Sequence, residues 1–193
     1  MHEAEEMTKT GLIVVDIQND YFEGGKWTLN NIDAAAANAA HLIEYFRNNQ
    51  APIFHVQHIF DSSDTPFFQP GTEGAKIRSG FQPRSTEPLF VKNTVNPFVS
   101  TSLLQALQGQ QIEEVVICGA MSHTCIDATV RAAADYRYKV LVAEDACAAR
   151  DLEFKGDVIP AEQVHKAYMS ALGFAYATVA TTAEILKGGL RKG

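Results

Sequence analysis

Short apolar runs alternate along the chain with longer stretches whose apolar residues recur at helical spacing. The runs, taken as strands, are Leu12–Asp16, Pro52–Gln57, Leu89–Lys92, Glu114–Gly119, Lys139–Ala143 and Phe174–Thr178. Their apolar residues continue without clean alternation, as in strands buried on both faces. The helical spacing predicts helices over Ile32–Asn49, Thr101–Gly109, Thr124–Arg137, Pro160–Leu172 and Thr181–Lys187. The first is Ala-rich and has high intrinsic propensity. Pro160 suits a first helical turn, where its missing N–H is not needed. Thr181 and Glu184 have capping-box spacing, and Gly188-Gly189 closes the last helix. This alternation predicts an α/β protein with a parallel sheet covered by helices on both faces.

One segment breaks the rhythm. From Ile59 to Pro88 the chain is rich in Pro, Gly, Ser and Asp, yet holds Phe67 and Phe68. A connection this long is functional or disordered, and its aromatics favour an ordered loop over the sheet edge, forming one wall of a site.

Composition narrows the class. A chain of 193 residues with 46% hydrophobic content suits one globular domain over residues 1–193, with the polar, acidic first ten residues expected to be flexible. The net charge of −7, with no basic stripe, makes nucleic acid a poor partner. No apolar run is long enough to span a bilayer, and the start lacks the pattern of a secretory signal. Three widely spaced cysteines without a CxxC suit a reducing, cytoplasmic setting. Nothing in the composition calls for a cofactor, and no G-x-G-x-x-G follows the first strand.

In open α/β sheets ligands bind beyond the carboxyl ends of the strands. Asp16, Lys92 and Cys125 all fall there, bringing together a carboxylate, an ammonium and a thiol. Lys92 and the helix beginning near Thr124 are expected to lower the pKa of the thiol. Asp16 is placed to take its proton and return it to a leaving group. The turn Gly119–Ser122 offers backbone N–H groups beside the sulfur for an oxyanion, with Gly119 permitting the bend. Each residue also has a bland reading: Asp16 as a loop carboxylate, Lys92 as a solvated charge, and Cys125, like Cys118 and Cys147, as a small buried hydrophobe. Gln18 can hold the carboxylate or substrate. Phe22, Trp27, Phe67, Phe68 and His123 can line a pocket, and either His55 or His58 can touch substrate; being three apart on a strand, the two histidines face opposite sides.

These blocks resemble the isochorismatase-like cysteine hydrolases, a family that includes nicotinamidases, N-carbamoylsarcosine amidases and isochorismatases. The resemblance rests on Ile13-Val14-Val15-Asp16-Ile17-Gln18-Asn19-Asp20-Tyr21-Phe22, on Val91-Lys92 with Asn96-Pro97-Phe98, on Cys118 through Ala133 around Cys125, and on Val140 through Ala148. It implies a three-layer α/β/α Rossmann-like fold with a six-stranded parallel sheet of order 3-2-1-4-5-6, and a triad of Asp16, Lys92 and Cys125. It also implies a cis peptide at Ala120–Met121, oxyanion donors at the Met121 and Cys125 amides, and a homo-oligomer, dimer or tetramer.

Metal-containing nicotinamidases carry an Asp-x-His motif, which the segment Ile53-Phe54-His55-Val56-Gln57-His58 lacks. The expectation is therefore a metal-independent enzyme, with no cofactor, that cleaves an amide, lactam or ureido C–N bond of a small molecule through a Cys125 thioester. Gln18, Phe22, Trp27, His58, Phe67, Phe68 and His123 are the expected substrate contacts. Vinyl-ether hydrolysis of isochorismate is the alternative, and a catalytically silent binding module is a remote one. An acidic substrate would need arginines, for which Arg78 and Arg84 are the candidates.

Overall fold

The computed structural model describes residues 9–190. Six parallel strands form the sheet: β1 (Thr10–Val15), β2 (Ile53–His58), β3 (Leu89–Lys92), β4 (Glu114–Ala120), β5 (Lys139–Ala148) and β8 (Thr178–Ala180), in the order β3-β2-β1-β4-β5-β8. The order has the expected topology. The sixth strand is eighth in the chain because an antiparallel hairpin, β6 (Leu152–Phe154) with β7 (Asp157–Ile159), precedes it.

Strand parity divides the core. Leu12 and Val14 of β1, with Val116 and Cys118 of β4, pack with Leu42 and Phe46 of α1 (Ile32–Asn48) and Ile185 of α6 (Thr182–Gly188). Ile13 and Val15, with Val115 and Ile117, point to the other face. There they meet Leu103 and Leu107 of α3 (Leu103–Gly109), Val130 of α4 (Asp127–Asp135) and Leu172 of α5 (Ala161–Ala175). Each such aliphatic side chain, buried from water, contributes about 1.5–3 kcal/mol.

Several boundaries differ from expectation. The apolar run at Phe174–Thr178 is not a strand from its start, because α5 continues through Ala175 and leaves Phe174 92% exposed. The expected helix from Thr101 is two pieces. Asn96 caps a short α2 (Pro97–Ser100) by accepting from the Phe98 N–H, and α3 starts afresh at Leu103. β5 runs past Ala143 to Ala148, with a shift in its register against β4 between Ile117 and Gly119. The last helix has its capping box, closed by Thr181 and Glu184. Of the leader expected to be flexible, residues 1–8 lie outside the described residues, while Thr10 opens β1 and donates its hydroxyl to Glu114. Among the described residues no helix is long and apolar enough to cross a membrane.

The segment 59–88 is held down by Asp20, a buried carboxylate just after β1. It accepts from the Phe68 N–H at 2.8 Å and the Lys26 N–H at 3.1 Å, while the Asp20 N–H donates to the Gly74 carbonyl at 2.9 Å. A Cβ at Gly74 would stand 2.1 Å from Asp20 Oδ1, so only glycine lets the loop approach this closely.

Candidate active site

Three strand ends build the site. Asp16 follows β1 in a left-handed backbone conformation (φ +52°), a turn aspartate tolerates better than most residues. Lys92 ends β3. The parallel register pairs it with His58 at the end of β2, which brings both side chains out on one face. After β4 the chain passes through Gly119 (φ +126°), where a Cβ would stand 1.9 Å from the Val15 carbonyl oxygen. The Ala120–Met121 peptide is cis, and a single π-helical turn, Ser122–Ile126, then carries Cys125 into the site before α4 begins. Asp16, His58, Lys92 and Cys125 are each 4% exposed or less.

Lys92 is the centre of the cluster. Its Nζ lies 2.8 Å from Asp16 Oδ2 as an ion pair, 2.7 Å from His58 Nδ1 and 3.3 Å from Cys125 Sγ. An ammonium has three N–H donors and no acceptor, so these three neighbours account for all of them. Nδ1 of His58 must therefore be the acceptor, and the ring proton must sit on Nε2. That Nε2 is buried and without a hydrogen-bond partner, as is Asp16 Oδ1.

The charges follow from burial and proximity. Burial opposes the Lys92 charge, but Asp16 and Cys125 beside it carry its pKa above the ordinary lysine value. His58 is pushed down to about 4, by burial and then by the Lys92 charge. Burial and the Asp16 carboxylate push the Cys125 thiol up to about 12 against the opposing pull of Lys92. Here the expectation of a lowered thiol pKa is overturned. The ammonium is shared with a carboxylate, and the sulfur sits inside a π-helical turn instead of at the exposed start of a helix.

Asp16, His58 and Cys125 also present donor atoms within 4.8 Å of one another, which resembles a metal-ligand set. The Lys92 ammonium already bonds to all three, and a divalent cation among them would lie against it. While Lys92 is charged, the donor set does not fit a metal.

The other expected site residues divide. Gln18 is fully engaged elsewhere: its amide nitrogen donates to the His58 and Ala75 carbonyls, and its oxygen accepts from the His58 N–H. It fixes the backbone of His58, and no hydrogen bond ties it to the Asp16 carboxylate. Phe22 is buried beneath the Arg78 guanidinium, 4.4 Å from its ring centroid. Trp27, Phe67, Phe68 and His58 belong to one aromatic group. Trp27 stacks on Phe67 at 4.7 Å, Phe67 meets Phe68 at 4.8 Å, and Phe68 lies 6.2 Å from His58. His123 meets Tyr168 edge-on at 6.1 Å, with no hydrogen-bond partner for its buried Nδ1.

Two contributors escape the motif reading. Tyr21 packs on Phe68 at 4.6 Å, and its hydroxyl pKa is raised by burial and by the nearby Cys125 and Asp16. Ser122 ties the turn that carries Cys125 to its surroundings, donating to the Ala148 carbonyl at 3.1 Å and sharing a 2.8 Å hydrogen bond with His165 Nδ1. Only the block Asn19-Asp20-Tyr21 hinted at the first, and no spacing rule could reveal the second.

A doubly covered parallel sheet with a buried Asp–Lys–Cys cluster beyond its strand ends is the framework of a small α/β hydrolase. The isochorismatase domain model matches residues 10–184, and the chain belongs to the isochorismatase-like hydrolase family. It is 49% identical over 178 residues to the isochorismatase family protein YddQ of Bacillus subtilis, covering 92% of this chain and 99% of the relative. A crystal structure of an isochorismatase hydrolase from Oleispira antarctica superposes with a TM-score of 0.90 at 46% identity, covering 95% of this chain and 98% of that one. The ureidoacrylate amidohydrolase RutB of Acinetobacter baylyi is 27% identical over 175 residues, covering 72% of this chain and 70% of that protein.

Proposed function

We propose that this protein hydrolyses a C–N bond, in an amide, lactam or ureido group of a small molecule, with Cys125 as nucleophile and Asp16 as proton carrier. The supporting observation is the saturated Lys92 ammonium, buried with the carboxylate and the thiol. A thiol with a pKa of about 12 is protonated at neutral pH, so its proton leaves as the sulfur attacks. Asp16 takes that proton while Sγ bonds to the carbonyl carbon. The oxyanion is received by the Met121 and Cys125 amides, a contribution of about 3 kcal/mol per donor.

Collapse of the tetrahedral intermediate breaks the C–N bond. The amine departs with the proton from Asp16, leaving a thioester on Cys125. Water then adds to the thioester and gives its proton to Asp16; the acid product leaves, and Asp16 returns the proton to the sulfur. Lys92 remains charged throughout and offsets the negative charge that moves between oxygen and sulfur. Trp27, Phe67, Phe68 and His123 would contact substrate, and a homo-oligomer would be the working form. That one relative is named an amidohydrolase supports C–N cleavage.

The neutral resting thiol also favours a second reading, vinyl-ether hydrolysis of isochorismate with Asp16 as proton donor and no covalent step. Intact-protein mass spectrometry during turnover of a panel of small amides, ureido acids and isochorismate separates the two. An acyl adduct lost in Cys125→Ala, with amine released, supports the thioester route. Turnover of isochorismate alone, without adduct, replaces it.

A further inference from the structure

Ser122 opens the π-helical turn that carries Cys125 and is fully buried, so its hydroxyl must find its partners within the protein. Two are in reach: the Ala148 carbonyl at the end of β5, at 3.1 Å, and His165 Nδ1 on α5, at 2.8 Å. His123 Nδ1 and Thr124 Oγ1 of the same turn have no hydrogen-bond partner. Among the described residues, the turn's side chains therefore reach other elements by hydrogen bonds at two points, Cys125 through Lys92 and Ser122 through Ala148 and His165.

A hydroxyl has one hydrogen and two lone pairs, a carbonyl can only accept, and an imidazole nitrogen can do either. One arrangement pairs all three groups: the Ser122 hydrogen lies on the Ala148 carbonyl, and Oγ accepts from a proton on His165 Nδ1. Were the hydrogen turned to His165 instead, the buried Ala148 carbonyl would lose this donor, which is unfavourable. His165 Nε2 lies 3.5 Å from the Glu144 carboxylate, and both line a cavity of about 540 Å³ that Asp16, Lys92 and Cys125 do not line. His165 thus supports the turn from outside the cluster.

We propose that Ser122 and His165 are positioning residues for the turn that carries Cys125, with the His165 proton on Nδ1. Pinned between β5 and α5, the Ser122 hydroxyl fixes where the Met121 and Cys125 amides point. The use of those amides as oxyanion donors rests on the C–N hydrolase reading; the pinning of the turn does not. A reacting group misplaced by about 1 Å can cost roughly 100-fold in rate, so a contact remote from the substrate is enough to matter.

Two measurements keep these apart. The first is kcat and KM on whichever amide of the panel above the wild type turns over fastest. Ser122→Ala should lower kcat roughly 10- to 100-fold with KM within about threefold, as expected for misdirected oxyanion donors. His165→Ala should do the same, and His165→Asn, whose amide N–H can stand in for Nδ1–H, should recover part of the loss. The double variant Ser122→Ala/His165→Ala should lose little more than either single one, whereas independent packing roles would give losses that add. The second is NMR, which needs no turnover. At pH 8 the wild type should show His165 protonated on Nδ1. The Thr124 and Ile126 amides, each bonded to the Met121 carbonyl at 3.1 Å, should exchange with solvent faster in Ser122→Ala.

Reduced kcat at little-changed KM, partly recovered in His165→Asn, supports the positioning role. Faster amide exchange in Ser122→Ala with no amide turned over by the wild type supports it too, and overturns the C–N reading alone. Full kcat in Ser122→Ala, additive losses, or a His165 protonated on Nε2 only overturns the positioning role and leaves C–N hydrolysis standing. Unchanged exchange together with no amide turnover by the wild type overturns both.

Discussion

Lys92 Nζ donates to His58 Nδ1 at 2.7 Å, and this contact fixes the tautomer of a buried histidine. A second proton on the ring would set an N–H against the ammonium, so His58 stays neutral until pH falls to about 4. Nitrogen chemical shifts should report a protonated Nε2 and an unprotonated Nδ1 from pH 8 to about 5. Because an unfolded histidine takes its proton near 6.5, this group makes the fold lose stability as pH drops from about 6.5 towards 4. In His58→Phe that part of the acid sensitivity should vanish. A His58 that titrates near 6.5 would contradict the arrangement.

The second prediction concerns the sulfur. With its pKa pushed up to about 12, Cys125 should be alkylated slowly by iodoacetamide at neutral pH. The rate should climb about tenfold per pH unit up to the limit of stability, following the thiolate fraction. A plateau below pH 8 would show a preformed thiolate and refute proton transfer coupled to attack. Cys125→Ala should lose at least about a thousandfold in turnover, by analogy with removal of other catalytic nucleophiles, while keeping its melting temperature.

Much of this was legible from period and position. The runs at Leu12–Asp16 and Glu114–Gly119 are central strands because both of their faces are apolar, and strand ends are where an α/β sheet places its chemistry. What the sequence hid depends on distant contacts. That His58 serves Lys92 follows from the β2–β3 register, and that Gln18 serves the His58 backbone follows from a hydrogen-bond pattern no local rule encodes. Phe174 misled because an apolar run at the end of a helix reads like a strand when its burial is unknown.

A third prediction follows from the contact between Asp20 and Gly74. Gly74→Ala places a methyl group against a buried carboxylate, so either the loop or Asp20 must move. Overpacking of this kind destabilises by about 1–3 kcal/mol. The shift would also disturb Phe68, whose N–H the same carboxylate binds. Urea denaturation should show the loss of stability, and the substrate KM should rise because Phe67 and Phe68 lose their anchor. Unchanged KM with reduced stability would mean that the loop does not shape the site.

The fourth prediction lies away from the site. Glu87 accepts two hydrogen bonds from Arg47, at 2.7 and 2.8 Å, one from the Arg84 N–H and one from His55 Nε2 at 2.9 Å, tying the end of the long loop to α1 and β2. Burial opposes its charge, but Arg47, the Arg84 amide and His55 more than offset this and hold its pKa down to about 2. Its depressed pKa contributes stability that is present above the unfolded value near 4.5 and is lost as pH falls towards 2. Glu87→Gln should cost about 3 kcal/mol at pH 7, since it leaves Arg47 without its counter-charge. The gap in urea midpoint between wild type and variant should then stay level from pH 7 to about 4.5 and narrow as pH is lowered from there towards 2, where the wild-type carboxylate protonates in the fold. A gap that stays constant over that range would mean that Glu87 acts through packing and hydrogen-bond geometry alone, with no contribution from its charge.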